Sequence, residues 1–585
     1  MPLRRLSLPF DILMLVFMLS AGLSLLVAYD RDLGLGTLIT VLVSGGVYFA
    51  AAHLIGSWEC VRRFGLLVVI AGLIYILVFI LLYGHQNYIE TPGLILRLGA
   101  LTTALPAFPV HIHPNSAATV AAGVLPLAVA LALSTRRSGG RALWWMGVAA
   151  LAYGLLLAFS RGAFIALALT LLLALVTLVL PRRAALALLA LIALGAAAAL
   201  LVGGPALERA LDWTYSRYEL YRNSLYLAKD YAFTGVGLGE PFAMVYSRFG
   251  LLIQVPFLIH PHNLPLAVWM GQGLLGLAAL AGLVATFYLF AAKVARRAKP
   301  RRLFHGAWLG VTATLIHGLF DAQQYSTEGL VVMPFLFALI GLTVASGRLA
   351  LHKAYWQGHD VSLRYIPRAL PAVGALLLLG TGAAFSPLIA AAWETNLGAL
   401  AETHGALARQ LSAAERLALY DEALQHYSAA LARAPGWASA SRRLGNLDLA
   451  LGQYEAAVPL LEAAAAAEPD NPAAVKGLGL AYTWAGRIEE AAAAFNRLDD
   501  PAAMAAELST WGYYRREQGQ PLLAAYAWDA MQAMKPGTAR ADVLLLIAEA
   551  YRDGGDPARA RLCYGRVLEI DPGNETAQQA LAALG

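Results

Sequence analysis

The sequence predicts an all-α protein, a polytopic membrane helix bundle of about eleven spans followed by a soluble α-solenoid. Three observations carry this. Hydrophobic residues make up 59% of the 585 and charged residues only 14%, a balance that excludes a wholly soluble globule. Apolar runs long enough to cross a bilayer recur through the first two thirds of the chain. From about residue 393 the composition changes to Ala-rich amphipathic helix. There Pro435, Pro469, Pro536 and Pro572 stand 34, 67 and 36 residues apart, close to one, two and one units of a 34-residue period.

Runs able to cross about 30 Å of hydrocarbon lie at 10–29, 33–54, 64–83, 115–134, 142–159, 163–180, 184–202, 263–291, 303–320, 329–347 and 369–391. Cytoplasmic loops hold the excess of Arg and Lys. Arg4/Arg5, Arg62/Arg63, Arg136/Arg137/Arg141, Arg182/Arg183, Lys293 through Arg302, and Arg348/Lys353/Arg364/Arg368 fall at every second loop. The amino terminus is therefore expected inside, and the carboxy-terminal third outside. The stretch Leu94 to Val110 holds Arg97, Pro106 and Pro109 and reads as a re-entrant or interfacial piece. The first run is long for a signal peptide and has no small-residue cleavage site, so it is expected to remain as a span. Cys60 and Cys563 fall on opposite sides, which argues against a disulfide between them. The net charge of +6 is mostly this topological bias, and nothing else supports nucleic-acid binding.

The domains expected are thus 1–392 in the membrane, with a long outer loop at 203–262, and 393–585 on the outer side. The latter resembles the tetratricopeptide repeat. Small and aromatic positions match at Ala423, Tyr427, Ala430 and Pro435; at Leu444, Gly445, Ala457 and Pro469; and at Leu478, Gly479, Tyr482, Ala491 and Phe495. They match again at Ala524, Trp528 and Pro536, and at Tyr551, Ala560, Tyr564 and Pro572. The resemblance implies about five stacked helix pairs, the first and fourth degenerate, that dock a partner and carry no chemistry.

Chemistry is expected in the membrane part. Arg161 is the lone charge between Leu151 and Leu180. A guanidinium costs roughly 2.5–3.5 kcal/mol at a bilayer centre on insertion scales, so it lies at a surface turn or has an anionic partner. The topology puts Ser160-Arg161-Gly162 at an outer turn, where a snorkelling side chain is the plain alternative. The loop 203–262 places Arg217, Arg222, Lys229 and Arg248 outside, against the positive-inside trend. An outward cationic cluster beside Arg161 suits a diphosphate, because arginine binds phosphate oxygens bidentately. Trp213, Tyr215, Tyr218, Tyr221, Tyr226 and Tyr231 belong at an interface or stack on sugar rings. The TGVGLG run at 234–239 follows no strand of a βαβ unit, so a nucleotide fingerprint is a poor reading. His260 and His262 end the loop just before Asn263 and a new helix. Either can take a proton near neutral pH, or can simply cap that helix. No zinc-type spacing accompanies them, and no metal or other cofactor is expected.

SRG at 160–162, R-x-x-x-Y-R from Arg217 to Arg222, TGVGLG at 234–239, H-x-HN at 260–263 with GLLGL at 273–277, and H-x-x-x-D from His317 to Asp321 together resemble the O-antigen ligase and polymerase superfamily. HPN at 113–115 is similar too. The resemblance covers roughly residues 100–345 and implies a membrane glycosyltransferase. Such an enzyme moves a glycan from an undecaprenyl diphosphate carrier to an acceptor on the outer face of the cytoplasmic membrane, without nucleotide sugar or metal. It further implies that Arg161, Arg217 and Arg222 hold the diphosphate, that His262 activates the acceptor hydroxyl with His260 beside it, and that Asn263, His317 and Asp321 support the site. The chain departs from the family at Gly271, often Glu, and at Pro265, often Tyr. The acceptor can be a lipid, a growing polysaccharide or a protein. A protein O-oligosaccharyltransferase and a noncatalytic lipid-glycan receptor, with the repeats recruiting partners, are the alternative readings. A secondary transporter fits less well, because the ionisable residues gather at the outer edge and no repeated halves are seen.

Overall fold

The computed structural model describes residues 8–83, 111–181, 205–239, 241–256, 258–325, 331–356, 386–535 and 539–584, with isolated positions between 183 and 194 and at 537. The described residues are helical, with no strand among them. The chain divides into two compact units. The first is Met1–Ala243 with Phe257–Leu377, and the second is Met244–Pro256 with Leu378–Gly585.

In the first unit the helices are α1 (Leu8–Leu26), α2 (Arg31–Leu54), α3 (Trp58–Tyr83), α4 (Pro114–Ser134), α5 (Ser138–Ala158), α6 (Arg161–Ala174, continued by a π turn to Val179), α7 (Pro205–Asp230), α8 (Phe242–Phe249, whose last turns belong to the second unit), α9 (Leu264–Arg297), α10 (Arg302–His317) and α11 (Val332–Trp356). Among the described residues seven helices are long and apolar enough to cross a membrane: α1 to α5, α9 and α11. Two shorter helices, α6 and α10, take the places of the expected spans at 163–180 and 303–320. The expected spans at 184–202 and 369–391 fall largely outside the described residues, and the piece at 94–110 falls wholly outside them. The loop expected at 203–262 is itself largely helical, through α7 and α8.

Sequence composition explains which helices sit inside. Alanine-rich α4 packs against α3, α5, α10 and α11, and small side chains let those neighbours approach. Leucine-rich α1 instead leaves Ile12, Leu15, Leu19 and Leu23 on its exposed face, as expected of a lipid-facing stripe. The basic loops share one end of this unit: Arg301 lies over the Trp58 ring at 4.5 Å, and Arg302 donates to the Leu133 carbonyl at the end of α4. α9 breaks at Gly273, whose φ of 66° and ψ of −167° are open to glycine. Just before the break the Met270 carbonyl accepts from Val236 N at 2.7 Å, and just after it Leu274 N donates to the Ala232 carbonyl at 3.0 Å. The glycine run at 234–239 is thus a packing element against α9.

The second unit stacks helix pairs: α12 (Ser386–Leu407) with α13 (Ala413–Arg433), α14 (Ala438–Ala450) with α15 (Tyr454–Ala467), α16 (Pro472–Trp484) with α17 (Ile488–Phe495), α18 (Pro501–Glu517) with α19 (Pro521–Met534), and α20 (Ala541–Asp553) with α21 (Pro557–Ile570), closed by α22 (Glu575–Leu584). Aromatics from the repeat pattern, Tyr427, Phe495, Trp528, Tyr551 and Tyr564, are buried between helices. The composition change near 393 falls inside α12, and the second unit begins before it, at Leu378.

Candidate active site

The polar residues of the first unit gather at the end opposite the basic loops, where the chain enters α4, turns from α5 into α6, enters α9 and leaves α10. Three helix starts place them. His113 caps α4, its Nδ1 accepting from Asn115 N at 3.2 Å. Ser160 caps α6 and accepts from Ala163 N at 3.4 Å. Asn263 caps α9, its Oδ1 accepting from Leu266 N at 3.1 Å, while its Nδ2 donates to the Leu319 carbonyl at 3.2 Å. Each side chain satisfies an amide that the first helical turn leaves open.

His317, fully buried at the end of α10, ties three helices together. Its Nδ1 lies 2.8 Å from Thr119 Oγ1 and its Nε2 3.3 Å from Ser160 Oγ. The Thr119 hydroxyl donates to the Asn115 carbonyl, so it accepts from His317 Nδ1–H, and Nε2 then accepts from Ser160. Gly162 makes the approach possible, since a Cβ there would stand 2.9 Å from Phe320 Cβ.

One turn on, Asp321 is 2% exposed. Its Oδ1 faces His262 Nδ1 at 3.3 Å and His260 Nε2 at 3.4 Å, and accepts from Ala322 N at 2.7 Å. His260 Nδ1 accepts from His262 N at 3.2 Å, which leaves the hydrogen of a neutral His260 on Nε2, toward Asp321. Ser116 Oγ donates to Gln323 Oε1 at 2.6 Å, which places the Gln323 amide beside His260, its Nε2 3.1 Å from His260 Nε2. His262 is held with φ at 49°, a left-handed conformation that costs a non-glycine residue about 1–2 kcal/mol. With Nδ1–H bound to Asp321, the His262 lone pair is on Nε2, which has no hydrogen-bond partner among the described residues. That is the arrangement of an oriented base.

Burial lowers His260 to about 4, with the charges of His262, His113 and Arg217 adding to it and Asp321 opposing. Burial by itself would raise the Asp321 carboxyl, but the His262 hydrogen bond and the surrounding imidazoles hold it well below the usual carboxylate range. Both shifts destabilise the folded state in acid. His260 contributes stability in full above its unfolded value near 6.5, and this is lost as pH falls toward 4. Asp321 contributes above about 3.8 and loses it below. The thermal midpoint should therefore fall between pH 6.5 and 4, and a His260→Gln variant should show a shallower fall. Equal slopes would contradict the assignment to His260.

α7 lies over this cluster. The Tyr221 hydroxyl is 2.9 Å from both the His262 and Leu319 carbonyls. Arg217 stands one turn earlier on the same face, and its charge acts on both Tyr221 and His260. Arg222 is turned about 140° round the helix from Arg217 and is half-buried. Arg161 is exposed at the start of α6, beside Ser160, and forms no ion pair or hydrogen bond with a described residue. The side chains of Trp213 and Tyr215 lie outside the described residues.

Thus His260, His262, Asp321 and His317 come together around α4, whereas Arg161 is exposed at the start of α6 and Arg222 lies on another face of α7 from Arg217. Sequence reasoning missed Ser116, Thr119 and Gln323, ordinary polar residues that only the fold brings to histidines. It also saw no metal set, yet His260, His262 and Asp321 each offer one donor atom within 4.8 Å of the others, so these three could hold an ion. At Gly271 a Cβ would stand 2.6 Å from the Tyr325 hydroxyl, so the tyrosine ring fills the space that a larger residue would need.

The family model described as O-antigen ligase matches residues 146–281, which include Arg161, Arg217, Arg222, His260, His262 and Asn263. Two tetratricopeptide repeat models match residues 448–509 and 542–574. Among the curated proteins none matches. Among solved structures, the chain is similar to YrrB, a TPR protein with an unusual peptide-binding site, at 20% identity over 31% of this chain and 90% of that one, with a TM-score of 0.18. It is also similar to a thermophilic TPR protein of Thermus thermophilus, at 19% identity over 32% of this chain and 98% of that one, with a TM-score of 0.17.

Proposed function

Because the chain carries an O-antigen ligase domain and tetratricopeptide repeats behind a set of membrane-length helices, we propose that it is a multi-pass glycosyltransferase of the cytoplasmic membrane. It takes a glycan from undecaprenyl diphosphate and joins it to an acceptor hydroxyl on the outer face of that membrane. The observation that carries this reading is the pairing of His262 with buried Asp321, at 3.3 Å.

In this reaction the acceptor oxygen attacks the anomeric carbon while the bond from that carbon to the diphosphate oxygen breaks. His262 Nε2 takes the hydroxyl proton, and Asp321 holds the ring in the required tautomer and stabilises the imidazolium that forms. Negative charge grows on the departing diphosphate, and Arg217 and Arg161, with Arg222, supply the countercharge. The lipid leaves as undecaprenyl diphosphate and the anomeric centre inverts. His317 acts at one remove, fixing Ser160 and hence the start of α6 at Arg161.

Arg161→Ala should lower the transfer rate by about 10²–10³-fold, the usual loss on removing one charge-stabilising donor, in a protein that inserts and melts normally. An unchanged rate would remove Arg161 from the site. An ion is not needed for these steps, so dialysis against a chelator should leave transfer within twofold of the untreated protein. Loss of transfer restored by a divalent metal would instead assign His260, His262 and Asp321 to a metal.

The reading is tested with purified protein and lipid-linked oligosaccharide. Chain lengthening without any other acceptor identifies a polymerase, and reaction only on adding a lipid or protein acceptor identifies a ligase or protein transferase. Binding of the lipid-linked glycan with no transfer to any acceptor would make the protein a receptor and overturn the proposal.

A further inference from the structure

The segment Met244–Pro256 lies in the chain between Tyr221 and His260, yet it folds with the repeat unit. It lies against the first helices of three successive pairs. Arg248 Nη2 is 3.3 Å from Glu402 Oε1 on α12. The Phe249 ring is buried, with the Arg442 guanidinium of α14 4.7 Å from its centroid. Leu251 packs into the apolar cluster of Leu480 and Trp484 on α16, over Gly477, where a Cβ would just touch it at 3.6 Å.

The receiving side is built in advance. Glu402 is buried, accepts from the Tyr427 hydroxyl at 2.6 Å and pairs with Arg443 at 3.1 Å. Burial opposes its charge, but Arg443 and Arg248 outweigh this and hold the carboxyl below its ordinary range. On the ligand side the chain accepts strain to present its side chains. α8 ends with Leu252 N bonded to the Ser247 carbonyl at 2.8 Å and Leu251 at φ 48°. Glycine normally fills that left-handed position, but glycine would remove the side chain that enters the cluster. A cation, a ring and an aliphatic chain within four residues of a short segment, each with its own receptor on a repeat helix, are the components of peptide recognition.

We propose that this face of the repeats is a peptide-binding site whose ligand is the chain's own Arg248-Phe249-Gly250-Leu251, and that by gripping it the repeat domain positions the strand of loop leading to His260 and His262. Residues 252–259 lead from the gripped Leu251 to His260, so the grip anchors one end of the stretch whose other end carries the base. Arg248, Phe249 and Leu251 are positioning residues. The catalytic meaning of the grip rests on the transferase reading above, but the grip itself does not.

The test uses full-length protein in lipid nanodiscs and amide hydrogen exchange, which needs no turnover. Arg248→Ala leaves Glu402 paired with Arg443, so the repeats should still fold, and exchange over residues 541–584 serves as the check. In Arg248→Ala/Phe249→Ala, exchange should become on the order of 10- to 100-fold faster, given the side-chain burial lost. The acceleration should cover residues 244–256 and extend through 258–263. The single Phe249→Tyr variant, which keeps the ring under Arg442, should behave as wild type. Unchanged exchange in 244–256 would show that the repeats do not hold the segment. Acceleration confined to 244–256 would show that the grip does not position the histidine loop. Either result overturns the proposal. If the wild-type protein transfers no glycan, the transferase reading fails and the exchange result still decides this one. If it does transfer, the double variant should lose at least about tenfold in turnover at unchanged affinity for the lipid-linked glycan, the pattern of a misplaced base.

Discussion

His262→Ala is expected to lower glycan transfer by about 10²–10⁴-fold, the span that a positioned general base contributes, while the protein still binds its lipid-linked donor. The expectation follows from the division of labour at the ring. Nδ1–H is held by Asp321, so Nε2 is the nitrogen that meets substrate. In the proposed mechanism the diphosphate is held by arginines on α6 and α7, not by the imidazole. Donor affinity should therefore be within a few-fold of wild type, and turnover should carry the loss. Single-turnover transfer measured alongside donor binding checks both. A variant that turns over at the wild-type rate would show that another group takes the proton.

Asp321→Ala should have the second large effect, and on two observables. Removing this carboxylate leaves His260 Nε2–H, His262 Nδ1–H and the Ala322 amide without their acceptor, in a place almost closed to water. Leaving a buried hydrogen-bond donor without its acceptor costs about 1–3 kcal/mol, and three donors are affected, so the unfolding midpoint should fall by several degrees. The base also loses its tautomer and orientation, so transfer should fall by about 10²-fold or more even at temperatures where the variant is folded. Loss of stability with full activity in the folded fraction would make Asp321 a structural residue only.

Much of this was legible in the sequence, for physical reasons that differ from place to place. Helix existence in the membrane unit follows from apolar run length, which is a local property, and the repeat period follows from recurring small and aromatic residues such as Ala423, Tyr427 and Tyr551. His260, His262 and Asn263 are adjacent in sequence, so their gathering at the start of α9 needed only one helix boundary. Asp321 lies 59 residues from His262, and its place beside that ring depends on how α9 and α10 pack, which no local pattern states. Thr119, Ser116 and Gln323 are less legible still. Their types are common in helices, and only burial against His317 and His260 makes them part of a network. The arginines show a different limit. Arg217 and Arg222 share one run, but five residues on a helix is not a whole number of turns, so only Arg217 shares the Tyr221 face. The segment Met244–Pro256 reads as outer loop in the sequence because it is flanked by membrane-unit sequence, and its packing with the repeats is a tertiary property.

The central claim is that this chain displaces undecaprenyl diphosphate by direct attack of an acceptor hydroxyl. The most direct measurement is the anomeric configuration of the new glycosidic bond, read by nuclear magnetic resonance, together with the amount of undecaprenyl diphosphate released by the purified protein. The account predicts an inverted centre and one diphosphate lipid released for each bond formed. A retained configuration, or release of the lipid without a new glycosidic bond, would contradict it.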